Sequence, residues 1–165
     1  MYKAGRQRSA FFVKHSKFIF MIFRSKLVEL QLPANIADGD QYNFANDADL
    51  QNAYIVGLIA YSQNEFILAP SGASVLSQLN GVGITITELS QKERIRTMPL
   101  TDFNTQLQGG FIRYFYPFQL NWQDSYVTLF DSSTIQPEEA VLVNVFYIPT
   151  SEIKTYEELY AFYGQ

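Results

Sequence analysis

A chain of 165 residues that is 47% hydrophobic and 16% aromatic has the material for one domain with a full core, or for one domain and an arm. It contains no cysteine, which excludes a disulfide framework, a thiolate metal site and a cysteine nucleophile, and no run approaching the roughly 20 apolar residues of a membrane-spanning helix. The net charge of −4 conceals a division: residues 1–26 carry seven bases and no acid, a charge of +7, and residues 27–165 carry −11.

The first segment holds Lys3, Arg6, Arg8, Lys14, Lys17, Arg24 and Lys26. A basic arm on an acidic body is the pattern of a segment that meets nucleic acid or an anionic membrane. Two apolar islands, Phe11–Val13 and Phe18–Phe23, lie between the bases. Aromatic and β-branched residues crowd the second island, which disfavours an amphipathic membrane helix and favours a strand buried against the domain or a partner. That island is too short for a secretory signal, and Arg24-Ser25-Lys26 stands where a cleavage site would belong. The expected division is an arm over residues 1–26 and one domain over 27–165.

The domain reads as strands. Lys26–Leu32 alternates and stops at Pro33. Ala34–Asp49 is mostly loop, anchored by Tyr42 and Phe44; its Asp38-Gly39-Asp40 and Asp47-Ala48-Asp49 lack the spacing of a calcium loop and read as solvated turn acids. Ala53–Ser62 is a strand by its β-branched and aromatic content, with Gly57 marking a bulge or a close backbone approach. Phe66–Ala69 is a short strand, and Val75–Leu79 is ambiguous between one helical turn and strand. Asn80-Gly81 then signals a hairpin, leading into Val82–Leu89, whose Val82, Ile84 and Ile86 share a face. Arg94 and Arg96 flank Ile95 in a further strand, and Leu100–Gln108 is a loop anchored by Phe103.

The stretch from Phe111 to Ile148, opening after Gly109-Gly110, holds the strongest strand signals. It divides into Phe111–Leu120, interrupted by Pro117, then Ser125–Phe130, then Ala140–Ile148. Asp124-Ser125 and Asp131-Ser132-Ser133 punctuate them as turns. Ala140–Ile148 is apolar on both faces, as a central strand should be. A capping box at Thr155–Glu158 opens a short C-terminal helix with Tyr156, Leu159, Tyr160 and Tyr163 on one stripe. About eight strands spaced roughly 8–12 residues apart give an all-β expectation, a β-sandwich and in particular a jelly roll.

Chemistry is harder to find. His15 is the only histidine, and a Ser-His-Asp triad or zinc site needs partners that the acid-free arm does not contain. Gly81-Val82-Gly83 lacks the third glycine and the following helix of a dinucleotide loop. Glu138-Glu139 and Glu157-Glu158 have ordinary structural readings. None of Glu29, Glu65, Glu88 and Asp102 is marked as half of a glycosidase pair. No catalytic residue, cofactor or metal is therefore assigned, and an enzyme is not expected. The aromatics Tyr114, Phe115, Tyr116, Phe118 and Trp122 fall on alternating strand faces, so some point away from the core; Tyr114, Tyr116, Phe118 and Trp122 are the candidates for a buried subunit interface or a glycan-stacking platform. Fourteen phenylalanines against one tryptophan favour the interface.

The run from Met98-Pro99-Leu100 through Arg113-Tyr114-Phe115 to Leu120-Asn121-Trp122 resembles the single jelly-roll minor capsid or penton-type proteins of tailless, lipid-containing bacteriophages. The general pattern extends over Leu27–Pro149. That resemblance implies a virion structural protein, a homo-oligomer that also contacts other capsid proteins, with an arm reaching neighbouring shell subunits, the genome or an internal membrane. It assigns no individual residue a role. The alternative that the residues themselves leave open is a carbohydrate- or receptor-binding β-sandwich module.

Overall fold

The computed structural model describes residues 24–61, 77–104, 112–135 and 140–153. Seven antiparallel strands lie in the order β1-β7-β3-β6-β4-β5, with β2 paired to β6 off this path. They are β1 (Arg24–Gln31), β2 (Gln41–Asn43), β3 (Tyr54–Tyr61), β4 (Val82–Glu88), β5 (Glu93–Pro99), β6 (Arg113–Leu129) and β7 (Ala140–Ile148). The all-β expectation holds for the described residues. The Phe66–Ala69 strand, the Gly109-Gly110 turn, the Glu138-Glu139 turn and the C-terminal helix lie outside them.

The 17-residue β6 organises the sheet. Its first half, Arg113 to Gln119, pairs with β3; its second half pairs with β4 on one side and β2 on the other. With the two halves taken as separate strands, the pairs are nested. First pairs with last (β1 with β7), second with the later half of β6, third with the earlier half, and fourth with fifth (β4 with β5). The β3–β7 and β4–β6 ladders join these nested pairs into one antiparallel sheet. A single core cluster gathers Leu30 from β1, Ile55 and Leu58 from β3, Ile84 and Ile86 from β4, Ile95 from β5, Trp122 from β6 and Val143 from β7.

Several expectations are met for physical reasons. β7 runs between β1 and β3, and its residues are buried on both faces apart from the half-buried Asn144 and Phe146. Val82, Ile84 and Ile86 are fully buried. Gly57 marks both a register shift in β3 and a close approach: a Cβ there would stand 3.2 Å from the Arg113 carbonyl oxygen. The edge strand β5 carries Arg94, Arg96, a left-handed Thr97 (φ 45°) and Pro99, features that discourage a further strand from pairing with it.

Other expectations are corrected. Phe111–Leu120 and Ser125–Phe130 are not separate strands divided by a turn, because β6 continues through Asp124-Ser125 as a bulge. Between Thr85 and Thr87 of β4, the partner register on β6 jumps from Tyr126 to Asn121. Side chains replace the lost ladder: Ser125 Oγ donates to the Asn121 carbonyl at 2.7 Å and accepts from the Thr87 N–H, while Thr87 Oγ1 donates to the Asp124 carbonyl. The bulge also changes which residues point inward, from Leu120 and Trp122 before it to Ser125, Val127 and Leu129 after it. Asn80-Gly81 is not a hairpin, since a helical turn, Ser77–Asn80, runs directly into β4.

The arm boundary also moves. Arg24 and Lys26 belong to β1, paired in register with Tyr147 and Val145. Arg24 forms an ion pair with Glu152. Lys26 Nζ lies 2.7 Å from carboxylate oxygens of both Asp47 and Asp49. These two bases are neutralised by the chain's own acids, so they are not part of a segment waiting for an anionic partner.

The loop acids are engaged rather than merely solvated. Asp38 accepts from the Ser132 N–H at 2.7 Å, and Asp40 accepts from the Ala37 N–H and the Tyr42 hydroxyl. Asp47 accepts from the N–H groups of Asp49 and Leu50. Burial pushes the Asp47 carboxyl up, but Lys26 and those two N–H donors outweigh it and hold it below the ordinary carboxylate value. A depressed folded value means that the stabilisation is fully present above the unfolded value of about 4 and is lost as pH falls through the folded one. Asp47→Asn is therefore expected to lower stability at pH 7, with the difference from wild type shrinking as the pH falls below about 4. Urea unfolding across pH 2–7 checks this, and a difference that stays constant would remove Asp47 from the acid-labile set.

Candidate binding cleft

β6 parts company with β4 at the Glu88–Leu120 pair and continues alongside β3. β5 remains with β4. The divergence opens a cleft of about 880 Å³, bounded by Glu88, Ser90, Arg94 and Met98 on one side and by Arg113 to Gln119 of β6 on the other. The turn joining β4 to β5 is held closed by the Glu88 N–H on the Lys92 carbonyl (2.9 Å) and the Gln91 N–H on the Glu88 carbonyl (2.8 Å), with Gln91 left-handed at φ 63°. The Leu89 N–H binds the Gln119 carbonyl at 2.9 Å and ties this turn to β6.

That turn brings three polar side chains together. The Glu88 carboxylate accepts from Ser90 Oγ and from Arg94 Nε. The Ser90 and Arg94 hydrogen bonds together outweigh desolvation, so the Glu88 carboxyl stays below its ordinary value. A glycosidase acid needs the opposite shift and a second carboxylate across the gap; among the described lining residues Glu88 is the only carboxylate. The Glu88–Ser90–Arg94 cluster was not visible in the sequence. Its signal would have been a base six residues beyond an acid, across a tight turn between two strands.

Arg113 lies at the β6 end of the cleft. Its guanidinium carbon is 5.5 Å from the Phe103 ring centroid, a cation–π distance, and Phe103 in turn packs against Phe115 at 5.9 Å. Phe103 is buried in the 3-10 turn Leu100–Phe103 that follows β5, so the guanidinium rests on a fixed surface. Asp102 stands 3.7 Å away, close enough to pair by charge but too far for a hydrogen bond.

The four aromatics read from the sequence do not share one surface. Tyr114 and Tyr116 line the cleft and are 56% and 55% exposed. Phe118 is buried in the core. Trp122 is fully buried; its ring stacks on Phe44 at 4.2 Å and its Nε1–H donates to the Ala45 carbonyl at 3.0 Å. A platform built on Trp122 is thus ruled out by burial, and the solvent-facing aromatic pair is Tyr114 with Tyr116. Of the arm residues, Lys3, Arg6, Arg8, Lys14 and Lys17 lie outside the described residues. Among the described residues, no three acidic or histidine side chains converge as a metal site, and no helix is long and apolar enough to cross a membrane.

The chain matches no protein-family model, no curated protein and no solved structure.

Proposed function

We propose that the chain is a virion structural protein whose body is a β-sandwich of the jelly-roll kind and whose basic arm fastens it into a shell. The observation that carries this reading is the nested pairing order, with β6 serving as two consecutive strands. A jelly roll is a long antiparallel ribbon rolled into two packed sheets, an architecture frequent in viral capsid and lectin domains. Copies of the body pack side by side, and the arm reaches other capsid proteins, the genome or an internal membrane. With Arg24 and Lys26 assigned to β1, the arm is residues 1–23, and its five bases, Lys3, Arg6, Arg8, Lys14 and Lys17, meet no acid within it. A charge of this kind makes binding to an anionic polymer fall steeply with salt.

Analytical ultracentrifugation of the full chain and of a variant lacking residues 1–23 tests the proposal. The cut falls before β1, so it spares the Arg24–Glu152 and Lys26–Asp47 pairs. The expected result is a discrete ring, a pentamer or trimer, that is lost on truncation while the thermal midpoint of the body is kept. Monomers in both cases would overturn assembly through the arm and leave the binding module as the better reading.

A further inference from the structure

After residue 26 the chain has only three arginines, Arg94, Arg96 and Arg113, and two of them, Arg94 and Arg113, line one cleft. The single carboxylate of the described lining, Glu88, is held by Ser90 and Arg94. Among the described residues the cleft lining therefore carries +1, in a body (residues 24–165) that carries −9. The same lining presents Tyr114 and Tyr116, each more than half exposed, together with Gln119. We propose that this cleft binds an acidic saccharide, with the sugar carboxylate on Arg113 and a sugar ring against the tyrosines.

The chemistry fits group by group. A pyranose has an apolar C–H face and a rim of hydroxyls; a tyrosine ring covers the face while its own hydroxyl reaches a polar neighbour. The planar guanidinium matches a carboxylate through two parallel N–H···O bonds. Phe103 holds Arg113 from beneath, and Asp102 at 3.7 Å attracts it without taking a hydrogen bond. The fork is thus oriented before a ligand arrives, which reduces the ordering cost of binding. Ser90, Gln119 and the Arg94 guanidinium supply the mixed donors and acceptors that a polyhydroxyl ligand requires. The cleft volume of about 880 Å³ lies in the range of small-ligand sites, roughly 300–1,000 Å³. An acidic peptide would meet the same arginines but would not use the exposed ring faces in this way. The inference goes beyond assembly and does not depend on it.

Saturation-transfer NMR on the full chain tests the inference, since it reads the ligand and tolerates a large assembly. The probes are 3′-sialyllactose and trigalacturonate, with lactose and hexaglutamate as neutral and peptidic comparisons. Both acidic saccharides are expected to bind at least about tenfold more tightly than lactose or hexaglutamate. Arg113→Gln should bring the acidic sugars down to the lactose level, Arg113→Lys should retain part of the preference, and Tyr116→Ala should weaken all the sugars. Thermal midpoints should be unchanged, because both side chains are exposed. Equal binding of lactose, equal binding of hexaglutamate, no binding of either acidic sugar, or indifference to Arg113→Gln would each overturn the proposal. An assembly that fails in the ultracentrifuge would leave these outcomes readable, so the two ideas fail separately.

Discussion

Trp122→Ala is expected to be strongly destabilised, unfolding at a far lower urea concentration than wild type. Trp122 is wholly buried, its ring lies on Phe44 at 4.2 Å with the planes 21° apart, and its Nε1–H satisfies the Ala45 carbonyl. Removing a buried aromatic side chain of this size costs about 3–5 kcal/mol in transfer and cavity terms, a large share of a domain stability of about 5–15 kcal/mol. The consequence is not confined to β6. Phe44 and Ala45 directly follow β2, so the stack and the hydrogen bond together pin the β2–β3 loop over the core. Trp122→Phe separates the terms: it keeps an aromatic partner for Phe44 and gives up the indole donor, so only about 0.5–1.5 kcal/mol should be lost with the hydrogen bond, because Ala45 is exposed and water can take its carbonyl. Urea midpoints read both variants. A Trp122→Ala protein as stable as wild type would show that the Phe44 stack contributes little. Any loss of sugar binding in Trp122→Ala would report this destabilisation rather than a ligand contact.

Gly81→Ala should be the most damaging glycine substitution among the described residues. A Cβ at Gly81 would stand 1.9 Å from Thr134 Oγ1 and 2.3 Å from the Asp131 carbonyl oxygen. The carbonyl is backbone and already caps the turn: Asp131 O accepts from the Thr134 N–H and from Thr134 Oγ1. The Gly81 carbonyl in turn accepts from the Phe130 and Asp131 N–H groups. The two segments are thus locked face to face, and one of them must move. Forcing a methyl group into such a site costs typically about 1–3 kcal/mol, occasionally more, and the upper part of that range is expected here. Thr134→Ala in the same chain should recover only part of the loss, because it removes the hydroxyl clash and leaves the carbonyl one. Gly83→Ala is the internal control: the atoms its Cβ would meet first belong to the ring of Phe130, which is 42% exposed and has room to swing aside. Thermal unfolding of the three variants decides the matter. Equal midpoints for Gly81→Ala and Gly83→Ala would mean that the turn at Asp131 yields more easily than its hydrogen bonds imply.

These two sites share a cause. Both lie where the second half of β6 meets the loops that cross it, and both depend on contacts between residues about 50–80 positions apart in sequence, distances at which local patterning is silent. The bulge at Asn121–Ser125 belongs to the same class. Asp124-Ser125 carries a turn signal because its side chains can bond nearby backbone. In the folded chain Ser125 does so, but with the Asn121 carbonyl and the Thr87 N–H, within a strand that never reverses.

What the sequence determined alone is the local material. Alternation placed Val82, Ile84 and Ile86 on one buried face, the two-sided apolar run of β7 foretold its central place, and Gly57 announced a close approach, because each of these depends only on side-chain period or backbone space. The tertiary structure decided which strand lies beside which, and with that everything about the cleft. Antiparallel pairing is permitted between almost any two such strands, so nothing local distinguishes β6 paired with β7 from β6 paired with β3. Only the strand order sets β5 apart from the first half of β6, and that separation leaves Tyr114 and Tyr116 in solvent while Trp122, on the same alternation, is buried. Charge followed the same rule. Arg24 and Lys26 read as part of a free basic arm until the fold brought Glu152, Asp47 and Asp49 to them, because an ion pair depends on distance in space and the sequence records only distance along the chain.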